Sequence, residues 1–266
     1  MSERESALRE VGVSSPKYHC SMTSTHPTLV LLHGLGATGQ VWDPLVKAAA
    51  WGGRVLAPDL PGHGSSSWAD TYSFGSMATE VAACLESDEE YVVLGHSMGG
   101  AVGGALATGF FGHPPIAVGM VGVKLVWTEE ELLGLPVVAA KPSRLFENRD
   151  GAAEWFLKLS GLFGVLELTS PIVERGICET SGGWQVCQDP KSVLVVEGSP
   201  PFADVLRGLL APVFMAIGEH DPLVSAEDHA DMPTGVPHVF EGLGHNAMVE
   251  DPSVVWDWFA RVVGLN

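Results

Sequence analysis

The run Gly95-His96-Ser97-Met98-Gly99-Gly100 is where residue types and spacing point most directly to chemistry. It has the form G-x-S-x-G, follows the apolar run 91–94 (YVVL) and precedes a segment rich in small residues. In that setting a serine sits on a sharp strand-to-helix turn that exposes its hydroxyl. The flanking glycines let the backbone turn and let helix and strand approach where a Cβ would clash. A serine hydroxyl is a poor nucleophile at neutral pH and needs a neighbouring base, usually histidine. The chain offers ten histidines.

Those groups must be held by a scaffold, and its outline is readable. Short β-branched runs alternate with helical segments, the pattern of a mainly parallel sheet covered by helices. Strands are expected at 28–33 (TLVLLH), 54–60 (RVLAPDL), 91–95, 116–123, 212–218 (PVFMAIG) and 238–242 (HVFEG). Helices are expected at 40–51, 73–86 and 252–263, the last with Val255, Trp258 and Val262 at helical spacing. Residues 91–123 hold no Asp, Glu, Lys or Arg, long enough for a membrane span. Glycines 95, 99, 100, 103 and 104 and His113-Pro114-Pro115 break the run, so it reads as strand, helix and strand buried inside a sheet. Residues 128–204 break the alternation, with helical patches at 129–133, 152–160 and 171–178 and Gly-rich joints, and are expected to sit on the sheet as an insertion. That leaves 1–127 and 205–266 as the core.

Four motifs, HGLG (33–36), DLPGHGSS (59–66), GHSMGG (95–100) and GEHDPLV…GLGHNAM (218–224 and 242–248), occur in an order that resembles the α/β-hydrolase fold superfamily. The likeness covers about 28–127 and 209–263, and the insertion falls where these enzymes carry a cap or lid. The resemblance implies a parallel sheet flanked by helices, a serine nucleophile, an acid after a late strand and a histidine after the last strand. Ser97 is the implied nucleophile. His245 is the implied base, because it alone lies in a Gly-flanked loop just after the last strand; the other histidines fall in shaping loops, next to Ser97, beside Pro114 or around the acid loop. Asp221 is the implied acid that orients the imidazole. Its rivals are Glu129 and Glu130, after the strand ending near Trp127, and Glu219. The backbone N–H groups of Leu35 and Met98 are the implied donors to the oxyanion.

The function expected is a cofactor-free serine hydrolase of a carboxylic ester, lactone or similar acyl bond. The same triad also serves C–C hydrolases, perhydrolases and lyases or synthases, and a non-catalytic ligand-binding protein on this scaffold is a further alternative. With serine at the nucleophile position, the ester-forming carboxylate of the family's haloalkane dehalogenases and epoxide hydrolases is missing. Neither a GxxxxGK[ST] loop, a GxGxxG after the first strands, an HExxH nor Cys/His metal spacing occurs, so no nucleotide cofactor and no metal is expected.

The 266 residues carry 14 Lys and Arg against 32 Asp and Glu, a formal charge of −18, which argues against nucleic acid as a partner. Residues 55–123 contain no cation and seven acids, and 209–266 one cation and nine acids, whereas 124–208 hold eight of the basic residues. An anionic substrate meets an adverse field unless a cap cation receives it, so a neutral or apolar acyl compound is expected. Trp127, Trp155, Phe156, Phe163, Trp184 and Met248 are the candidate substrate contacts. Cys20, Cys84, Cys178 and Cys187 are expected to be free thiols, with Cys178 and Cys187 able to pair only in an oxidising compartment. Residues 1–12 are charged throughout with no apolar run, so neither a signal peptide nor a membrane span is expected, and the expected location is the cytoplasm.

Overall fold

The computed structural model describes residues 26–229 and 232–265. Cys20 and the N-terminal segment lie outside them.

Six strands form one wholly parallel sheet: β1 (Thr28–Leu32), β2 (Val55–Leu56), β3 (Tyr91–His96), β4 (Val118–Val121), β7 (Val213–Gly218) and β8 (His238–Phe240). Their order is β2-β1-β3-β4-β7-β8. A parallel sheet is covered on both faces, so its strands read as unbroken apolar runs whose alternate residues feed opposite cores. Leu29, Leu31, Val92, Leu94 and Val121 join one buried cluster, with Trp42, Val255 and Phe259. Val30, Leu32, Val93, Val118 and Met120 join the other, with Met77, Val102 and Leu106. The first face carries α1 (Asp43–Ala49) and α9 (Pro252–Val263); the second carries α2 (Phe74–Ala82) and α3 (Met98–Ala107). Every residue of α3 is buried, which accounts for the uncharged stretch as an interior strand, helix and strand. Among the described residues no helix is long and apolar enough to cross a membrane.

Between β4 and β7 the chain forms α4 (Glu129–Ala139), α5 (Arg149–Leu159), α6 (Pro171–Glu174), the strands β5 (Ile177–Thr180) and β6 (Gly183–Val186) and α7 (Phe202–Arg207), and none of these joins the six-stranded sheet. Thr128 and Glu131 close a reciprocal capping box at the start of α4. A polar latch ties this segment to the loop after β2. Asp59 accepts from Gly39 N–H (2.9 Å) and Ser65 N–H (2.9 Å), and pairs with Arg175 just past α6 (3.0 Å). Burial alone would raise the Asp59 carboxyl, but the hydrogen bonds from Ser65 and Gly39 outweigh it and hold it below the usual carboxylate range. Tyr72 donates to Asp189 at 2.7 Å on the same seam.

Three expectations are corrected. The strand at 54–60 is only Val55–Leu56, because the chain then leaves the sheet edge to bring Ala57 and Asp59 against Gly39, where a Cβ would lie 2.2 Å from the Ala57 carbonyl oxygen. The helix at 40–51 is a 3₁₀ turn, Gly39–Trp42, followed by α1. The helix at 171–178 ends at Glu174, and Ile177 begins an antiparallel hairpin with β6. Cys84, Cys178 and Cys187 are free thiols. Burial and the neighbouring Cys178 push the Cys187 thiol up to about 12.

Candidate active site

Because all six strands run the same way, their carboxyl ends share one edge, and the strand order sets Ser97, Gly122, Asp221 and His245 side by side beyond β3, β4, β7 and β8. Ser97 joins β3 to α3 with φ +50° and ψ −118°. Apart from Ala50 it is the only described residue other than glycine with positive φ. Glycine on either side makes the turn feasible: a Cβ at Gly99 would lie 2.2 Å from the Leu32 carbonyl oxygen, and one at Gly95 would lie 2.4 Å from that of Gly99. Ser97 N–H donates to the Val121 carbonyl (2.8 Å), which pins the turn to β4. Met98 opens α3, where the first N–H groups have no partner within the helix.

His245 Nδ1 lies 2.7 Å from Asp221 Oδ2. The Asp221 side chain is fully buried, and its Oδ1 accepts from Leu223 N–H (2.8 Å). An ionised carboxylate only accepts, so the contact places the imidazole proton on Nδ1 and leaves Nε2 free to act as a base. Gly122 makes room for the pair: a Cβ there would sit 3.2 Å from His245 Nδ1 and 3.3 Å from Asp221 Oδ2, and its φ is +63°. Of the rival acids, Glu219 is engaged by Gly242 N–H at 2.7 Å, and Glu129 and Glu130 are exposed at the start of α4.

Three residues make positioning contacts that the sequence does not assign. His96 lies under His245, rings 4.6 Å apart, and its Nε2–H donates to the His245 carbonyl (2.9 Å). Burial holds its pKa well below the ordinary value, so it is a neutral prop. Asn246 donates to the carbonyls of Ser160 (3.2 Å) and Gly161 (3.1 Å), tying the His245 loop to the end of α5. His33 bridges two loops: Leu60 N–H donates to its Nε2 (2.8 Å), so its proton is on Nδ1 and is donated to the Gly34 carbonyl (2.8 Å). Since a trans peptide sets C=O and N–H on opposite sides, fixing the Gly34 carbonyl also fixes the direction of the Leu35 N–H.

Burial holds the pKa of His33 at about 4 and that of His63 at about 3. Above pH 6.5 both are neutral folded or unfolded. Below it the unfolded chain takes up protons that the native state refuses, so stability falls as pH drops from 6.5 towards 4. His33 alone is worth about 3 kcal/mol over that interval. Calorimetry should therefore show Tm declining from pH 6.5, above the range where carboxylates titrate; a flat Tm down to pH 5 would contradict the buried neutral imidazoles.

Ser97 and His245 open on a cavity of about 1100 Å³, whose wall also includes Leu35, Met98 and Trp127. The other expected contacts lie elsewhere. Phe156 is fully buried against Gly176, where a Cβ would meet its ring at 2.1 Å. Met248 is fully buried in α8 (Ala247–Glu250). Trp184 exchanges backbone hydrogen bonds with Phe146, and Trp155 stacks under Arg144. Phe163 is 56% exposed beneath the Lys158 ammonium. Trp155, Phe156 and Trp184 pack within the insertion, Phe163 stands exposed on it, and none of the four lines the cavity. Its apolar wall comes instead from aliphatic residues of α4 and α5 and from Phe74 and Phe202. Lys124 and Lys158 reach it as well, each ion-paired with a glutamate, Glu131 and Glu154.

The model of the alpha/beta hydrolase family matches residues 29–258. The chain belongs to that family. Among curated relatives of this hydrolase, "Putative carbamate hydrolase RutD" of Serratia proteamaculans is 36% identical over 247 residues, 86% of this chain and 88% of that one. Pimeloyl-[acyl-carrier protein] methyl ester esterase of Aeromonas hydrophila is 47% identical over 90 residues, which is 33% of this chain and spans only 34% of that relative. Among solved structures, E-2-(acetamidomethylene)succinate hydrolase superposes with a TM-score of 0.74 at 19% identity, over 90% of this chain and 91% of that one, a likeness of fold.

Proposed function

We propose that this hydrolase cleaves a neutral carboxylic ester, lactone or similar acyl bond through an acyl-enzyme on Ser97. What supports the reading is chiefly one observation: His245, hydrogen-bonded through Nδ1 to a buried carboxylate, shares one largely apolar cavity with Ser97 on its strained turn. Ser97 Oγ attacks the acyl carbon while His245 Nε2 takes its proton; Asp221 stabilises the imidazolium; the leaving oxygen receives that proton. Water then attacks the acyl-enzyme with the same histidine as base, releasing the acid and restoring the serine. The N–H groups of Leu35 and Met98 receive the charge that develops on the carbonyl oxygen in both tetrahedral species. Residues 128–204 act as a cap, and the two cavity lysines, Lys124 just before it and Lys158 within it, are already neutralised by glutamates of the cap, in keeping with a neutral substrate.

A fluorophosphonate probe should modify the protein once, on Ser97, with loss of turnover of p-nitrophenyl esters. Labelling elsewhere, or turnover of a ring-fission dienoate with no turnover of any ester, would overturn the ester reading.

A further inference from the structure

A second cavity, of about 450 Å³, lies between α2, α3 and α7. It adjoins the first across a shared wall: Phe74, Ala101, Ser199, Pro200 and Phe202 line both. The sequence along α3 orders the two spaces. Ser97 lies in the first chamber, Ala101 one turn on is common to both, and Ala105 and Thr108 line only the second. From 97 to 105 the helix advances about 12 Å. Small side chains along this face leave the space open.

The bulk of that shared wall is an aromatic pair. Phe74 and Phe202, the first residues of α2 and α7, meet edge to face with ring centroids 6.1 Å apart. The pair is built in. A Cβ at Gly104 would lie 2.7 Å from the tip of the Phe202 ring, so only glycine leaves that ring its seat on α3. Phe74 N–H donates to Ser199 Oγ (3.0 Å), which itself donates to the Val195 carbonyl (2.8 Å), so the chain leading to Phe202 is tied to the start of α2.

We infer that the Phe74–Phe202 pair is the end-stop of the acyl site: it sets the longest unbranched acyl chain that Ser97 accepts, and behind it lies an unused extension of the same channel. This rests on the acyl-hydrolase reading and adds the specificity-determining residues and the class of acyl group, a straight aliphatic chain directed along α3. The rings present edge and face to the chain end, and no charged side chain is shared by the two walls.

The test is a p-nitrophenyl ester series from butyrate to palmitate on the whole protein. For the wild type, kcat/KM should rise with chain length and then fall once the chain reaches the rings. In Phe202→Ala the rise should continue past that break, by about fourfold for each methylene that enters the second chamber, the equivalent of ~0.8 kcal/mol. Phe74→Ala, approaching from the opposite side of the pair, should move the break in the same direction. Adding Thr79→Trp to Phe202→Ala refills the second chamber from its rim and should restore the wild-type break. Ratios of long to short esters are compared within each variant, so partial loss of folded enzyme cancels. An unshifted break in both alanine variants, or a wild type with no break, overturns the inference. Stabilisation by free fatty acids of increasing length reads the same boundary without turnover: absence of all ester hydrolysis would remove the acyl-hydrolase reading, while an unshifted fatty-acid boundary would remove the end-stop.

Discussion

Ser97→Ala is expected to lower kcat on a p-nitrophenyl ester by about 10⁶-fold, with KM changed little and a residual rate roughly 10³ to 10⁴ above the uncatalysed reaction. The loss corresponds to about 8 kcal/mol of transition-state stabilisation. It is this large because, in the proposed mechanism, serine, histidine and acid act as a unit: without the hydroxyl neither base nor acid has work to do, whereas the proposed oxyanion donors at Leu35 and Met98 and the cavity wall remain. The same position carries a separable effect on stability. Its φ of +50° costs a side chain of any kind, since the clash involves Cβ and not the hydroxyl. Alanine therefore retains the strain, and Ser97→Gly relieves it, by an amount of order 1–3 kcal/mol. Steady-state kinetics with melting curves on both variants separate the two effects. Wild-type turnover in Ser97→Ala would end the nucleophile assignment.

The parts of this protein legible in its sequence are those where one physical requirement fixes residue type at fixed spacing. Buried parallel strands need unbroken apolar runs, so β1, β3, β4 and β7 were visible. The strained turn at Ser97 needs glycine on both sides, so its place was visible too. The insertion obeys no such periodicity. The β5–β6 hairpin was hidden because ICET and GWQV are short and mixed in polarity; the Ser181-Gly182 step between them was the available signal, since a two-residue link containing glycine between short runs marks a hairpin. The aromatics of the insertion misled for a related reason. Phe156 and Trp184 look the same in sequence whether they face a ligand or a neighbouring helix, and packing claimed them. The cavity instead took Phe74 and Phe202, 128 positions apart, which only the folded chain brings together. The roles of Gly122, His96 and Asn246 stayed hidden because each serves the site through contacts with residues distant in sequence.

Asp221→Asn is expected to cost about 10⁴ in kcat, more than a simple loss of charge suggests, because the local hydrogen bonds dictate how the amide must sit. Leu223 N–H needs an acceptor, which Oδ1 of residue 221 supplies at 2.8 Å. Asparagine can satisfy it only by turning its carbonyl oxygen there, and that directs its NH₂ at His245 Nδ1, 2.7 Å from the present Oδ2. A nitrogen facing a donor must be the bare one, so the imidazole proton moves to Nε2, and the atom proposed to receive the Ser97 proton already holds one. Shape and packing are otherwise kept, so Tm should remain near that of the wild type while kcat collapses. Glu219→Gln is the matched control: the amide oxygen can still accept from Gly242 N–H, and kcat should stay within a few-fold of the wild type. Kinetics on the two variants side by side decide between the candidate acids. A loss of less than tenfold in Asp221→Asn together with a large loss in Glu219→Gln would transfer the role to Glu219, and small losses in both would return it to Glu129 or Glu130.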